Sequence, residues 1–136
     1  GIVATVGSCY VQTEVLNLDI FIVSIPMGSL ACAILAINNL RDRAQDEIVG
    51  KRTMAVRLGD KGARVLYISL LISAHLFALL TFRTFALLTL LALPVTYSLA
   101  KSVWGGVSGA ALIPSLAKTG KLQLIFAALF ALGLAL

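Results

Sequence analysis

Two carboxylates four residues apart, Asp42 and Asp46, stand in the stretch Asn38-Asn39-Leu40-Arg41-Asp42-Arg43-Ala44-Gln45-Asp46, and Glu47-Ile48-Val49-Gly50-Lys51-Arg52-Thr53-Met54-Ala55-Val56-Arg57-Leu58-Gly59-Asp60 follows at once. On a helix such a pair shares one face, with Cβ atoms about 6 Å apart. Carboxylates that close repel one another, and the repulsion is expected to be relieved by a cation joining them. Hard oxygen donors suit Mg2+, which takes one or two carboxylates and lets substrate phosphates complete its octahedron. Asn38, four residues before Asp42, falls on the same stripe. Arg41, Lys51, Arg52 and Arg57 stand close in sequence and could neutralise phosphate oxygens, an arginine doing so bidentately. The spacing alone is common. Its plain alternative is a solvated helix whose Asp and Arg residues pair with each other for little energy.

The surroundings place this stretch at a membrane surface. The chain has 136 residues, 60% hydrophobic and only 12% charged, too little polar surface for an ordinary soluble domain. Uncharged apolar runs cover Ile20–Ile37, Val65–Phe82, Phe85–Ala100 and Leu122–Leu136. A membrane span takes about 20 mainly apolar residues, so four spans are expected, near 20–39, 62–82, 85–103 and 121–136, with a polar motif loop at 40–61. Gly1 to Val11 is also uncharged but half a span long, and reads as the tail of a fifth helix of a larger protein. The expected fold class is all-α: an integral membrane helical bundle forming a single domain over 1–136.

Charge placement orients the bundle, because Lys and Arg near span ends stay on the cytoplasmic side. Arg41, Arg43, Lys51, Arg52, Arg57, Lys61 and Arg64, then Lys101, Lys118 and Lys121, mark one face, against Arg83 alone on the other. The motif loop is therefore expected on the cytoplasmic side of the cell membrane. The net charge of +5 reads as this topology signal and as a match to anionic lipid or substrate; nucleic acid is not an expected partner.

The intervening residues give local expectations. Asp19 and Asp60 are candidate N-caps of the spans that follow them, and Lys61 and Arg64 are candidate headgroup anchors. Pro26 and Pro94 should bend their helices. His75, midway along a span, is more simply a neutral imidazole bonded to a neighbouring helix than a functional group. Arg83-Thr84 should turn the second and third full spans into a hairpin. The Gly- and Lys-rich segment Gly105 to Lys121 resembles a phosphate cradle only loosely, lacking Gly-x-x-x-x-Gly-Lys-Ser/Thr and a preceding strand, and reads as a flexible loop. Cys9 and Cys32 have no ligand spacing and read as buried, inert thiols.

The motif itself is more specific than its carboxylate spacing. Asn38-Asn39-x-Arg41-Asp42-x-x-x-Asp46, then Gly50-Lys51-x-Thr53-x-Ala55-Val56-Arg57-Leu58-Gly59, resembles the second aspartate-rich motif of the UbiA-type intramembrane prenyltransferases. The paired asparagines and the trailing Thr-x-Ala-Val-Arg-Leu-Gly resemble the branch acting on 1,4-dihydroxy-2-naphthoate in menaquinone synthesis, and Leu112-Ile113-Pro114-Ser115-Leu116 adds a weaker likeness. The resemblance implies a nine-helix fold of which this chain is the C-terminal part, the missing N-terminal half being its partner. It implies Asp42 and Asp46 as catalytic Mg2+ ligands against the diphosphate of a polyprenyl donor, with Asn38 and Asn39 assisting and Arg41 matching the motif. Lys51 and Arg57 join the diphosphate-binding set by charge and place. The first motif, of the form Asn-Asp-x-x-Asp, has no counterpart here, so this chain alone is not expected to be active. Two readings stay beside the naphthoate one: a prenyltransferase for 4-hydroxybenzoate or a tetrapyrrole, and a transporter or scaffold subunit without catalysis.

Overall fold

The computed structural model describes residues 1–81 and 84–135, with the side chains of 84–86 outside the description. Five α-helices follow in order: α1 (Ile2–Thr13), α2 (Leu18–Ile48), α3 (Met54–Leu79), α4 (Leu93–Trp104) and α5 (Ile113–Ala135). A 3-10 helix over Thr84–Ala92 leads into α4, and a second, Gly109–Leu112, leads into α5. Among the described residues there is no strand, and four segments are long and apolar enough to cross a membrane: Leu18–Ile48, Met54–Leu79, Leu87–Trp104 and Gly109–Ala135. The chain is a multi-pass all-α membrane bundle, as its composition requires. The Arg83 turn and the final residue of the last expected span lie outside the described residues.

The bundle is built around α2 and α3, which pack along their length. Leu30, Ile37, Tyr67, Leu71, Leu99, Leu122 and Phe126 are fully buried where α2, α3, α4 and α5 meet. Some polar side chains inside the bundle find partners across helices, which an apolar surrounding favours. Ser73 Oγ donates to Ser29 Oγ at 2.9 Å between α3 and α2. Tyr67 and Thr119 hydroxyls lie 2.7 Å apart between α3 and α5, and Thr119 also donates to the Ser115 carbonyl. Exposed Leu35, Ile72, Leu91 and Leu124 give the outer face its apolar coat. At the crossing of α1 and α2 a Cβ on Gly28 would stand 2.8 Å from Ile2 Cγ1, so only glycine permits this approach.

Several local expectations are corrected. The cap of α2 is Asn17, whose side chain accepts from the Ile20 amide at 2.9 Å; Asp19 sits in the first turn, where its charge still suits the helix dipole. Pro94 lies in the first turn of α4, at the change from 3-10 to α-helix, a position that needs no amide donor. His75 bonds its own helix, Nδ1 to the Leu71 carbonyl at 3.1 Å, while its ring meets Phe126 of α5 edge-on at 5.1 Å. Lys118 to Lys121 are no flexible loop: α5 starts at Ile113, with Pro114 tolerated in its opening turn, and Thr119 is fully buried. Cys9 is half-buried and Cys32 exposed, so neither is a core thiol.

Candidate active site

The 31 residues of α2 make it about 46 Å long at 1.5 Å per residue, against a hydrocarbon thickness of about 30 Å. Its charged last turns therefore reach past the apolar layer as a helix to Ile48, so Asp42 and Asp46 stand on the helix that their spacing supposes. Asn38, Asn39 and Asp42 are half-buried on it and Asp46 is buried.

What ends α2 also builds the site. Gly50 takes a left-handed φ of 73°, the Lys51 amide donates back to the Asp46 carbonyl at 2.8 Å, and the Gly50 amide donates to the Glu47 carbonyl at 3.2 Å. This is the Schellman arrangement, in which a glycine just past the helix lets the chain reverse and satisfies the last carbonyls. The reversal carries Lys51 back beside Asp46, with Nζ 3.6 Å from Oδ1. Thr53 then caps the next helical segment, its hydroxyl accepting from the Val56 amide at 3.4 Å, and Ala55 is buried under it. Gly59, at φ 69° and ψ 179°, occupies a backbone region open almost only to glycine and kinks α3 between this short segment and the spanning part. Gly50, Lys51, Thr53, Ala55 and Gly59 of the motif each thus have a local structural cause.

Each carboxylate has its own protein cation. Arg41 grips Asp42 bidentately, Nε to Oδ1 and Nη2 to Oδ2 both at 2.7 Å. Asp46 has Lys51, and Arg43 makes a loose 3.4 Å pair with Glu47. The repulsion between Asp42 and Asp46 is relieved in this way, so their proximity does not by itself require a metal. Among the described residues no group of three or more His, Cys, Asp or Glu side chains could hold an ion. The donor set of Asp42 and Asp46 with the amide of Asn38 nonetheless suits a hard divalent cation that takes its remaining ligands from phosphate and water. Arg57 is exposed on the short first segment of α3 and bonds neither aspartate, and Arg52 is exposed likewise.

One pair was not legible as part of this end of the bundle. Arg64, expected at the headgroups, is 5% exposed. Its Nε and Nη2 bind Asp60 at 2.6 and 2.9 Å, and Nη1 donates to the carbonyls of Val103, in α4, and Val107, at 3.0 Å for the latter. Asp60 is therefore not the expected N-cap, its carboxylate being taken by the guanidinium. The i,i+4 spacing was visible in the sequence; the carbonyls 39 and 43 residues away were not. These bonds bring the connection after α4 to the same end of the bundle as the motif. A cavity of about 420 Å3 opens there, lined by Arg41 and Arg43 of α2, Asp60 and Arg64 of α3, and Gly106 and Ser108 of the connection.

Residues 1–111 match the UbiA prenyltransferase family. The chain belongs to that family. Within curated proteins it is similar to the 1,4-dihydroxy-2-naphthoate octaprenyltransferases of Haemophilus influenzae (38% identical, covering 98% of this chain and 45% of the relative) and Escherichia coli (37% identical, 98% and 45%). It is similar also to the enzyme of that name from Mycobacterium tuberculosis (36% identical, 93% and 44%). This UbiA-family chain thus spans about half the length of the curated relatives it matches. No solved structure matches it.

Proposed function

We propose that this UbiA-family chain carries the diphosphate-gripping motif of a membrane prenyltransferase that moves a polyprenyl group from its diphosphate to 1,4-dihydroxy-2-naphthoate. The observation that carries the reading is a D-x-x-x-D pair on a helix that overruns the apolar layer, in a chain whose relatives bear that activity in their names. The naphthoate acceptor is preferred over 4-hydroxybenzoate or a tetrapyrrole on those names. The relatives' greater length supports the view that a further half, with its own aspartate motif, completes the site.

In this reading the allylic C–O bond of the donor breaks, diphosphate leaves with the bonding electrons, and the ring carbon bearing the carboxylate forms the new C–C bond while carbon dioxide departs. Asp42 and Asp46 would hold a divalent cation, Mg2+ by donor chemistry, which when bound supplies Lewis-acid stabilisation of the leaving diphosphate. Arg41 and Lys51, each now beside a carboxylate, are placed to turn to phosphate oxygens. Asn38 and Asn39 offer amides to the same group. Arg57 belongs to the set by charge alone, since it is exposed and distant in bonding from the aspartates. The apolar trunk would take the polyprenyl tail and keep water from the allylic cation. The motif would face the cytoplasm, by the excess of Lys and Arg at its end of the bundle.

The test is prenyl transfer by the intact protein in lipid, with and without Mg2+, for the unaltered sequence and for Asp42→Ala and Asp46→Ala. Loss of turnover in both variants is expected. Unchanged turnover in both would remove this end of α2 from the chemistry.

A further inference from the structure

We infer that Arg64 is a positioning residue: with Asp60 it pins the connection after α4 to the start of α3, and so holds the wall shared by two cavities at the motif end. A guanidinium is suited to the task. It presents five donors in a planar fork, and here four contacts divide among three residues, both oxygens of Asp60 on one side and the Val103 and Val107 carbonyls on the other. The carbonyls matter because they lie around the end of α4, whose last C=O groups have no partner within the helix. The Val107 carbonyl accepts from Arg64 just after a turn through Gly106, at φ 88°. Val107 itself packs against the buried core, so the connection is fixed at both backbone and side chain.

Burial makes the arrangement stiff. The Arg64 side chain is 6% exposed against 43% for Asp60, so the charge that would be stranded by a broken pair is the guanidinium. A desolvated arginine without its carboxylate is costly, which holds the three segments in register. On one side of this wall is the 420 Å3 cavity with Arg41 and Arg43; on the other is one of about 400 Å3, lined by Asp60, Lys61, Arg64, Trp104 and Gly106. That the wall faces substrate rests on the prenyl-transfer reading; that Arg64 holds the wall does not.

Two readouts separate these claims. The first uses the full chain in lipid nanodiscs, with Cys9→Ser and Cys32→Ser, Val107→Cys as reporter and Leu71→Cys, fully buried, as a control for global unfolding. Labelling by a polar maleimide at position 107 should quicken about tenfold with Arg64→Met and less with Asp60→Asn, with position 71 still protected, as expected for local opening. Arg64→Lys should recover only part of the protection, because one ammonium cannot copy the fork. The double change Asp60→Leu with Arg64→Leu strands no charge and still lacks the carbonyl bonds, so it should label as fast as Arg64→Met even if the single variant folds poorly. Equal labelling at position 107 with and without Arg64 would overturn the inference. The second readout is turnover by the intact protein, where Arg64→Met should raise KM several-fold more than it lowers kcat. An unchanged KM beside faster labelling would overturn the assignment of the wall to the substrate cleft. If the unaltered protein transfers no prenyl group, the proposed function fails while the labelling result stands.

Discussion

Two Asp–Arg pairs stand at the same end of this bundle, with nearly the same bidentate geometry and opposite circumstances. Arg41 and Asp42 are neighbours in sequence with side chains 28% and 40% exposed, joined at 2.7 Å. Arg64 and Asp60 are one helical turn apart, joined at 2.6 Å, with the guanidinium nearly shut off from solvent and its remaining donors spent on backbone carbonyls. The first pair is hydrated enough for its partners to be exchanged at modest cost, which suits groups that must accept a metal and a phosphate. The second can be exchanged for nothing without breaking the link between α3 and the end of α4. Burial and the number of committed donors, rather than residue type, separate a pair available for chemistry from one that holds shape.

The contrast is broken most sharply by removing one carboxylate at a time. Asp42→Asn should lower turnover of the intact protein by about 100-fold or more, about 2.7 kcal/mol of transition-state stabilisation, while leaving thermal stability almost unchanged. Arg64→Met should do the reverse, costing about 3 kcal/mol of stability, read as a lowered unfolding midpoint in detergent, with a smaller loss of kcat. If both variants lost activity and stability in the same proportion, the two pairs would not differ in kind.

A third test bears on how the motif turn is shaped. Gly59→Ala puts a side chain at a φ and ψ reserved almost to glycine and should cost about 2 kcal/mol by strain. Gly50→Ala should cost about 1 kcal/mol at the left-handed C-terminal position of α2 and loosen Lys51 from Asp46, seen as a faster hydrogen exchange of the Lys51 amide. The smallest effect belongs to the trunk: Tyr67→Phe should cost about 1 kcal/mol by removing the bond to Thr119, without altering substrate affinity.

The spans were legible because they rest on runs of apolar residues, and the motif because its residue types are unusual beside them. The ends of elements were harder. Gly50 and Gly59 stand in the motif as letters of a pattern, and only the fold shows that their positive φ values end one helix and kink the next. Lys118, Gly120 and Lys121 looked like a loop by composition, but Thr119 finds a buried partner in Tyr67, so packing decides the helix there. Arg64 was misplaced because its environment is made by carbonyls far along the chain, and His75 because its hydrogen bond turns back on its own helix. Local patterns show which groups are present; only the fold shows which are shielded.

The most direct test of the central claim is equilibrium binding of a polyprenyl diphosphate to the intact protein in nanodiscs, measured with Mg2+ and with chelator, for the unaltered protein and for Asp42→Asn with Asp46→Asn. The account predicts that Mg2+ tightens binding in the unaltered protein by tenfold or more, about 1.4 kcal/mol, and has no effect once both carboxylates are gone. Equal enhancement by Mg2+ in both proteins would contradict it, since the cation would then be held elsewhere.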